Sequence, residues 1–212
     1  MSDPTPPPPP QRPRLRLDFF DTAVILSRWE ENGQATTYPV AVEDVVSACT
    51  EIRLGSGFLP PNTLFWKQQA HKTTLGIYVP GRRWRVRVGK KRLRIPMPPL
   101  IFVGSGRAYS LYAVKTRPLD GRIPLYHAPC PNVFGDGRIC PGTTPFPACS
   151  AGAIEEALTL FWEGSLFNSH LSRDKCQSQP ADVRKLWQKL DGRKRFPLSE
   201  LIPAQKTLQS LL

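Results

Sequence analysis

The sequence predicts an α+β domain, and three observations carry that expectation. Between residues 64 and 114, short runs rich in β-branched, leucine and aromatic residues are separated by Gly or Pro, the grammar of short antiparallel strands. After Cys149 the apolar spacing changes: Ile154, Ala157, Leu158 and Phe161 fall at i, i+3, i+4 and i+7 of a helix. Pro180 and Asp182 then open a second helical pattern, Val183, Leu186, Trp187 and Leu190, which Gly192 closes. Strands followed by helices pack as an α+β arrangement.

In chain order, residues 1–13 (MSDPTPPPPPQRP) form a proline tract. It is expected to sample polyproline II outside the core, as a solvated tail or as a docking peptide for an aromatic groove. Residues 14–212 are read as the folded domain. Leu15, Leu17 and Phe19 with Ala23–Leu26 predict a first strand that ends before the Asn32-Gly33 turn, with Thr36–Val40 as hairpin partner. Val42, Val45, Val46 and Cys49 have helical spacing over residues 42–52, so Cys49 is expected in the core.

The strands expected next are Leu64–Trp66, Gly76–Val79, Trp84–Val88, Leu93–Ile95, Ile101–Val103 and Ala108–Val114. Consecutive short strands with turn signals predict an antiparallel meander. The helix from Ile154 should run to about Trp162, ended by Gly164-Ser165, and Leu198–Ile202 with Leu208–Leu211 should form a last packed piece.

The 212 residues carry a net charge of +12, which favours an acidic partner: nucleic acid or an acidic protein. Hydrophobic content of 40% is enough for a core, and no apolar run approaches the roughly 18–20 residues a membrane span needs. With a polar, proline-rich start in place of a signal-peptide pattern, a cytoplasmic protein is expected. Five cysteines without a CxxC pair give neither a disulfide framework nor a zinc ribbon. His127, Cys130, Cys140 and Cys149 are four potential zinc ligands, but their gaps miss the usual spacings, so neither metal nor cofactor is expected.

The chemistry concentrates in one loop, Pro131 to Gly142, where glycines and prolines build a stiff turn that ends on Cys140. Such a turn can present a thiol instead of burying it, and a thiol is intrinsically nucleophilic; a cysteine that merely caps the turn is the plainer reading. Asn132 stands eight positions earlier. If the loop doubles back, its amide can donate to an oxygen beside the sulfur.

Pro131-Asn132 and Gly137-Arg138-Ile139-Cys140 resemble the active-site segment of ubiquitin-conjugating enzymes. The wider series is closer to a bacterial branch, the prokaryotic ubiquitin-conjugating-enzyme-like family D (PRTRC system protein B). It comprises Arg117-Pro118, Leu125–Pro129, Asn132-Val133, Gly137, Cys140-Pro141-Gly142, Trp162-Glu163 and Phe167–His170. Cys130 stands where the eukaryotic enzymes have His, and Pro141-Gly142 where a Leu-Asp pair often follows.

The resemblance implies a ubiquitin-conjugating-like fold and an acyl relay in which Cys140 takes the C-terminus of a ubiquitin-like protein as a thioester and passes it to an amine. Asn132 would steady the oxyanion or hold the loop. His127 would orient the loop or serve as a structural histidine. His170 is the first candidate for the base that deprotonates the amine, ahead of Asp136, Glu163, Ser169 and Asp174; a plain surface histidine is the alternative. The implied partners are a ubiquitin-like protein, a ThiF-type activating enzyme and a JAB-type peptidase of the same pathway, with an antiphage-defence or plasmid-linked setting.

Arg82, Arg83, Arg85, Arg87, Lys90 and Lys91 lie on one basic hairpin in which Trp84, Val86 and Val88 should face inward and Arg85 and Arg87 outward. That face could meet an acidic partner protein or nucleic-acid phosphates, or could simply be a charge-protected edge. A catalytically idle scaffold or nucleic-acid module of the same fold is the alternative function.

Overall fold

The computed structural model describes residues 14–30, 33–49, 57–69, 72–118 and 120–212, the last two of the second stretch by backbone only. They fall into two compact units, one up to residue 55 and one from residue 56 onward.

The first unit is a three-stranded antiparallel sheet, β1 (Leu15–Phe19), β2 (Val24–Trp29) and β3 (Ala35–Val40), followed by helix α1 (Val42–Cys49). The single strand expected over residues 15–26 is two. The chain reverses where the Phe20 N–H donates to the Ala23 carbonyl at 2.8 Å, and β1 pairs back on β2 from Leu15↔Arg28 to Phe19↔Val24. An apolar run read from spacing alone does not reveal a turn built from Asp21 and Thr22, which carry no Gly or Pro signal. The β2–β3 hairpin forms as expected. Glu43 and Asp44 in the first turn of α1 suit the positive end of its dipole. Its valines do not make the buried face their spacing suggested: Val42 and Val46 are each 53% exposed. Periodicity places side chains on one face of a helix, but it does not supply a surface to cover that face. The expected core position of Cys49 falls outside the described side chains.

The second unit holds a six-stranded sheet of β4 (Thr63–Gln69), β5 (Lys72–Val79), β8 (Leu100–Ser105), β9 (Ala108–Ala113), β10 (Pro124–His127) and β12 (Pro203–Thr207). Its order is β12-β10-β9-β8-β5-β4, with every neighbour antiparallel. The expected strands are present, but the meander is interrupted. β6 (Arg83–Val88) and β7 (Lys91–Pro96) leave the sheet as a separate hairpin, and β5 pairs directly with β8. Gly89, at φ 57, opens the two-residue turn of that hairpin, and Gly106, at φ 58, opens the β8–β9 turn. A two-residue β11 (Leu166–Phe167) runs parallel to β6, giving the order β11-β6-β7.

Strand alternation covers both faces of the large sheet. Leu100, Phe102, Tyr109 and Leu111 enter the main core, whereas Ile101, Val103 and Tyr112 enter a smaller cluster with Val114, Leu125 and Leu208. Helix α2 (Ile154–Thr159) continues as a π-helical turn, Leu160–Gly164, ending at Ser165 as the sequence indicates. Helix α3 (Val183–Leu190) buries the four residues its spacing named: Val183, Leu186, Trp187 and Leu190. Asp182 caps it, accepting from the Arg184 N–H at 3.0 Å. The Arg184 guanidinium on that carboxylate holds it below the usual carboxylate range. Trp84 stacks on Trp162 at 5.2 Å, and Trp162, Phe167 and Trp187 continue the aromatic cluster. No helix among the described residues is long and apolar enough to cross a membrane.

Candidate active site

The loop after β10 doubles back on itself. Asn132 sits at φ 61 and Gly137 at φ 93, left-handed positions that Asn and Gly tolerate best. Between them the Phe134 N–H donates to the Arg138 carbonyl at 2.8 Å, Gly137 N–H to the Phe134 carbonyl at 3.1 Å, and Cys140 N–H to the Asn132 carbonyl at 2.8 Å. The eight-position offset is therefore the length of a small closed hairpin with Asn132 and Cys140 at its mouth. Its second arm is anchored to β9: Ile139 N–H donates to the Tyr109 carbonyl and Leu111 N–H to the Gly137 carbonyl, both at 2.8 Å.

Other contacts grip the loop by its carbonyls. Tyr112 Oη donates to the Asp136 carbonyl, and Lys206 Nζ from β12 reaches the same oxygen at 3.1 Å. Lys175, only 4% exposed, places Nζ 3.3 Å from the Phe134 carbonyl. Burial pushes the Lys175 ammonium below its ordinary pKa, against the pull of Cys130, Asp174 and Asp136. Burial raises the Asp136 carboxyl, but the Arg138 N–H and guanidinium outweigh it and hold the group below the usual range. Trp187 Nε1 donates to the Pro129 carbonyl at 2.8 Å, tying the loop's entry to the aromatic core.

Cysteine exposure separates the thiols. Cys130, Cys149 and Cys176 are buried, and Cys140 alone of the four described cysteine side chains is half-exposed. Burial pushes the Cys130 thiol up to about 12 and also raises those of Cys149 and Cys176. Cys130, at the position of the family histidine, is thus a neutral packed group and not a proton carrier. Among the described residues, no three His, Cys, Asp or Glu side chains gather as a metal-binding cluster.

Asn132 is fixed on two sides by the segment after the π-helical turn. Its Nδ2 donates to the Leu166 carbonyl at 3.2 Å, and its N–H donates to the His170 carbonyl at 3.2 Å. One amide N–H therefore holds the loop. The His170 side chain is exposed, and the His170 N–H is held by Asn168 Oδ1 at 2.7 Å. Sequence reasoning named His170 as a candidate base but gave no sign of the backbone contact that joins it to Asn132.

His127 pairs through its main chain with Tyr112 of β9 and donates its N–H to the Ile202 carbonyl at 2.9 Å. Its ring makes no hydrogen bond among the described residues, and strand pairing holds its backbone. Burial, then Lys175 and Lys206, push its imidazolium below the ordinary value of 6.5. On acidification the unfolded chain binds this proton first, so His127 should make stability fall as pH drops below about 7. Urea unfolding across that range should give a shallower slope for His127→Gln; an unaltered slope would contradict the assignment.

On the basic hairpin, Arg83, Arg85 and Arg87 are exposed while Trp84 and Val86 are buried, and Val88 is half-buried. Arg82 instead lays its guanidinium 3.7 Å over the Trp84 ring. Lys90 lies in the Gly89-Lys90 turn, and Lys91 starts β7. The sequence did not reveal Lys175, Lys206, Tyr112 or Leu166 as parts of the loop's support. Lys175 lies in a polar stretch without periodicity, and Lys206 in a polar edge strand.

None of the curated proteins and none of the solved structures compared with the chain matches it. A family model does match, over residues 41–204, from α1 through the loop and helices into β12. The family it describes is ubiquitin-conjugating-like, with ubiquitin-like proteins and activating enzymes as its partners in general. The chain belongs to prokaryotic E2 family D.

Proposed function

We propose that Cys140 carries a ubiquitin-like protein as a thioester. The observation that supports this most is that the half-exposed cysteine is the one at the mouth of the closed hairpin, beside an Asn132 held in a left-handed conformation. In the first step the Cys140 thiolate attacks the carbonyl of a modifier already bound as a thioester to a ThiF-type activating enzyme, whose own thiolate leaves. In the second an amine attacks the Cys140 thioester, the Cys140 thiolate departs, and the amine loses its proton. His170, exposed and joined through its backbone to Asn132, is the proposed acceptor of that proton. The free N–H of the Asn132 amide steadies the oxyanion in both steps. Exposed basic residues of the hairpin, Arg83, Arg85, Arg87, Lys90 and Lys91, are the proposed landing face for the acidic partner. A JAB-type peptidase would reverse the modification, and antiphage defence is the proposed setting.

Incubation with the activating enzyme, the ubiquitin-like protein and ATP should give an adduct on non-reducing gels that a thiol reagent removes. A competent activating enzyme that yields no adduct would leave the second reading, a binding module of the same fold, which the charge of +12 favours.

Two Asn132 variants separate backbone from amide. Asn132→Gly keeps the φ of 61 open and loses the amide, and Asn132→Ala loses both. Single-turnover transfer should slow by roughly 10²–10³-fold in both if the amide meets the oxyanion, with Asn132→Ala also less stable by about 1 kcal/mol. Normal transfer in Asn132→Gly would reduce the residue to a turn former.

A further inference from the structure

Hairpin β6–β7 carries an arrangement that the thioester chemistry does not use. Its register sets Arg85 opposite Arg94 and Arg87 opposite Arg92. All four are exposed, whereas Trp84, Val86, Leu93 and Ile95 are buried. Like charges set directly across a strand pair destabilise it. Among the described residues none of the four side chains makes an ion pair or stacks on a ring. Asp191, a nearby carboxylate, instead accepts from the Arg94 backbone N–H at 2.8 Å. The four arginines with Glu163 and Asp191 line an open cleft of about 600 Å³ with Val86 and Leu93 at its floor.

We propose that this cleft binds an extended, carboxylate-rich polypeptide segment. Arginines two apart on a strand repeat at about 6.6–6.8 Å, and opposed ones lie about 5 Å apart. Alternate side chains of an extended peptide have the same repeat, so successive Asp or Glu residues on one of its faces can each meet an opposed arginine pair. The guanidinium fork suits a carboxylate bidentately. A single-stranded nucleic acid fits less well, because no aromatic ring lines the cleft to stack a base. Glu163 and Asp191 would also oppose an unbroken phosphate chain, whereas a peptide can set a neutral or basic side chain against them.

The cleft lies beside the candidate site. Leu166 of β11 pairs with Arg87, and its carbonyl holds the Asn132 amide. The proposal deepens the landing-face reading of the hairpin, and its test involves no thioester, so its failure would leave the role of Cys140 standing.

The test is fluorescence anisotropy of a labelled oligoglutamate peptide with the full chain at low and moderate salt. Arg85→Glu with Arg94→Glu should weaken binding at least roughly tenfold. Arg122→Glu with Lys185→Glu, the same charge change elsewhere, should stay within about twofold. Without ligand, Arg85→Gln should raise the melting temperature, since one opposed charge pair is relieved, which also reports that the variant folds. Three results would overturn the proposal: no binding of the peptide, equal weakening by the control pair, or an oligothymidylate that binds more tightly than the peptide and is lost with the cleft pair.

Discussion

Cys140→Ala should abolish the thiol-sensitive adduct with an activated ubiquitin-like protein, and Cys149→Ala should leave it in place. The loss should be complete within detection, several orders of magnitude in charging rate, because no other group in the site replaces a missing nucleophile. Cys149 is the informative control. It is buried, burial raises its pKa, and its backbone N–H is bound to the Gly106 carbonyl at 2.6 Å. A modifier's C-terminus cannot reach it without local unfolding. Single-turnover charging on non-reducing gels, with a denaturation curve for each variant, decides the matter. An adduct that persists in Cys140→Ala would move the nucleophile elsewhere and remove the basis for the relay.

The second large effect is expected at Gly137. Its φ of 93 strains any L side chain, and a Cβ built there falls within the ring of Tyr112, which is 3% exposed and has its hydroxyl on the Asp136 carbonyl. Backbone strain of about 1–3 kcal/mol and overpacking of about 1–3 kcal/mol together give Gly137→Ala a loss of roughly 2–6 kcal/mol. The same change should misplace Cys140, because Gly137, Ile139 and Cys140 share one hydrogen-bonded arm. Gly135→Ala, two residues earlier, meets nothing within 4 Å and should cost no more than about 0.5 kcal/mol. Chemical denaturation and charging rates of the two variants should therefore diverge; identical behaviour would show that the loop is not held against Tyr112.

The tight turn that joins Asn132 to Cys140 was legible in the sequence. The eight-position offset between Asn132 and Cys140 is a local length, and the local hydrogen bonds of the loop account for it. What holds the loop was not legible. Lys206 reaches it from 70 positions away and Lys175 from 41, out of polar segments that carry no periodic signal. The direction of the Asn132 amide was hidden for the same reason, since its partner, Leu166, lies 34 positions further on in a two-residue strand.

The sequence by itself determined which side chains share a face. The four apolar residues of α3 are buried, β6 alternates exposed arginines with inward Trp84 and Val86, and the π-helical turn that continues α2 ends where Gly164 and Ser165 stand. Those features depend on backbone periods of 3.6 and 2, which nearby residues set. Tertiary structure alone decided that β6–β7 leaves the sheet so that β5 meets β8, that polar β12 closes one edge against β10, and that Val42 and Val46 of α1 stay exposed. Pairing and covering depend on surfaces contributed by distant segments, and a local period carries no information about which distant segment will arrive.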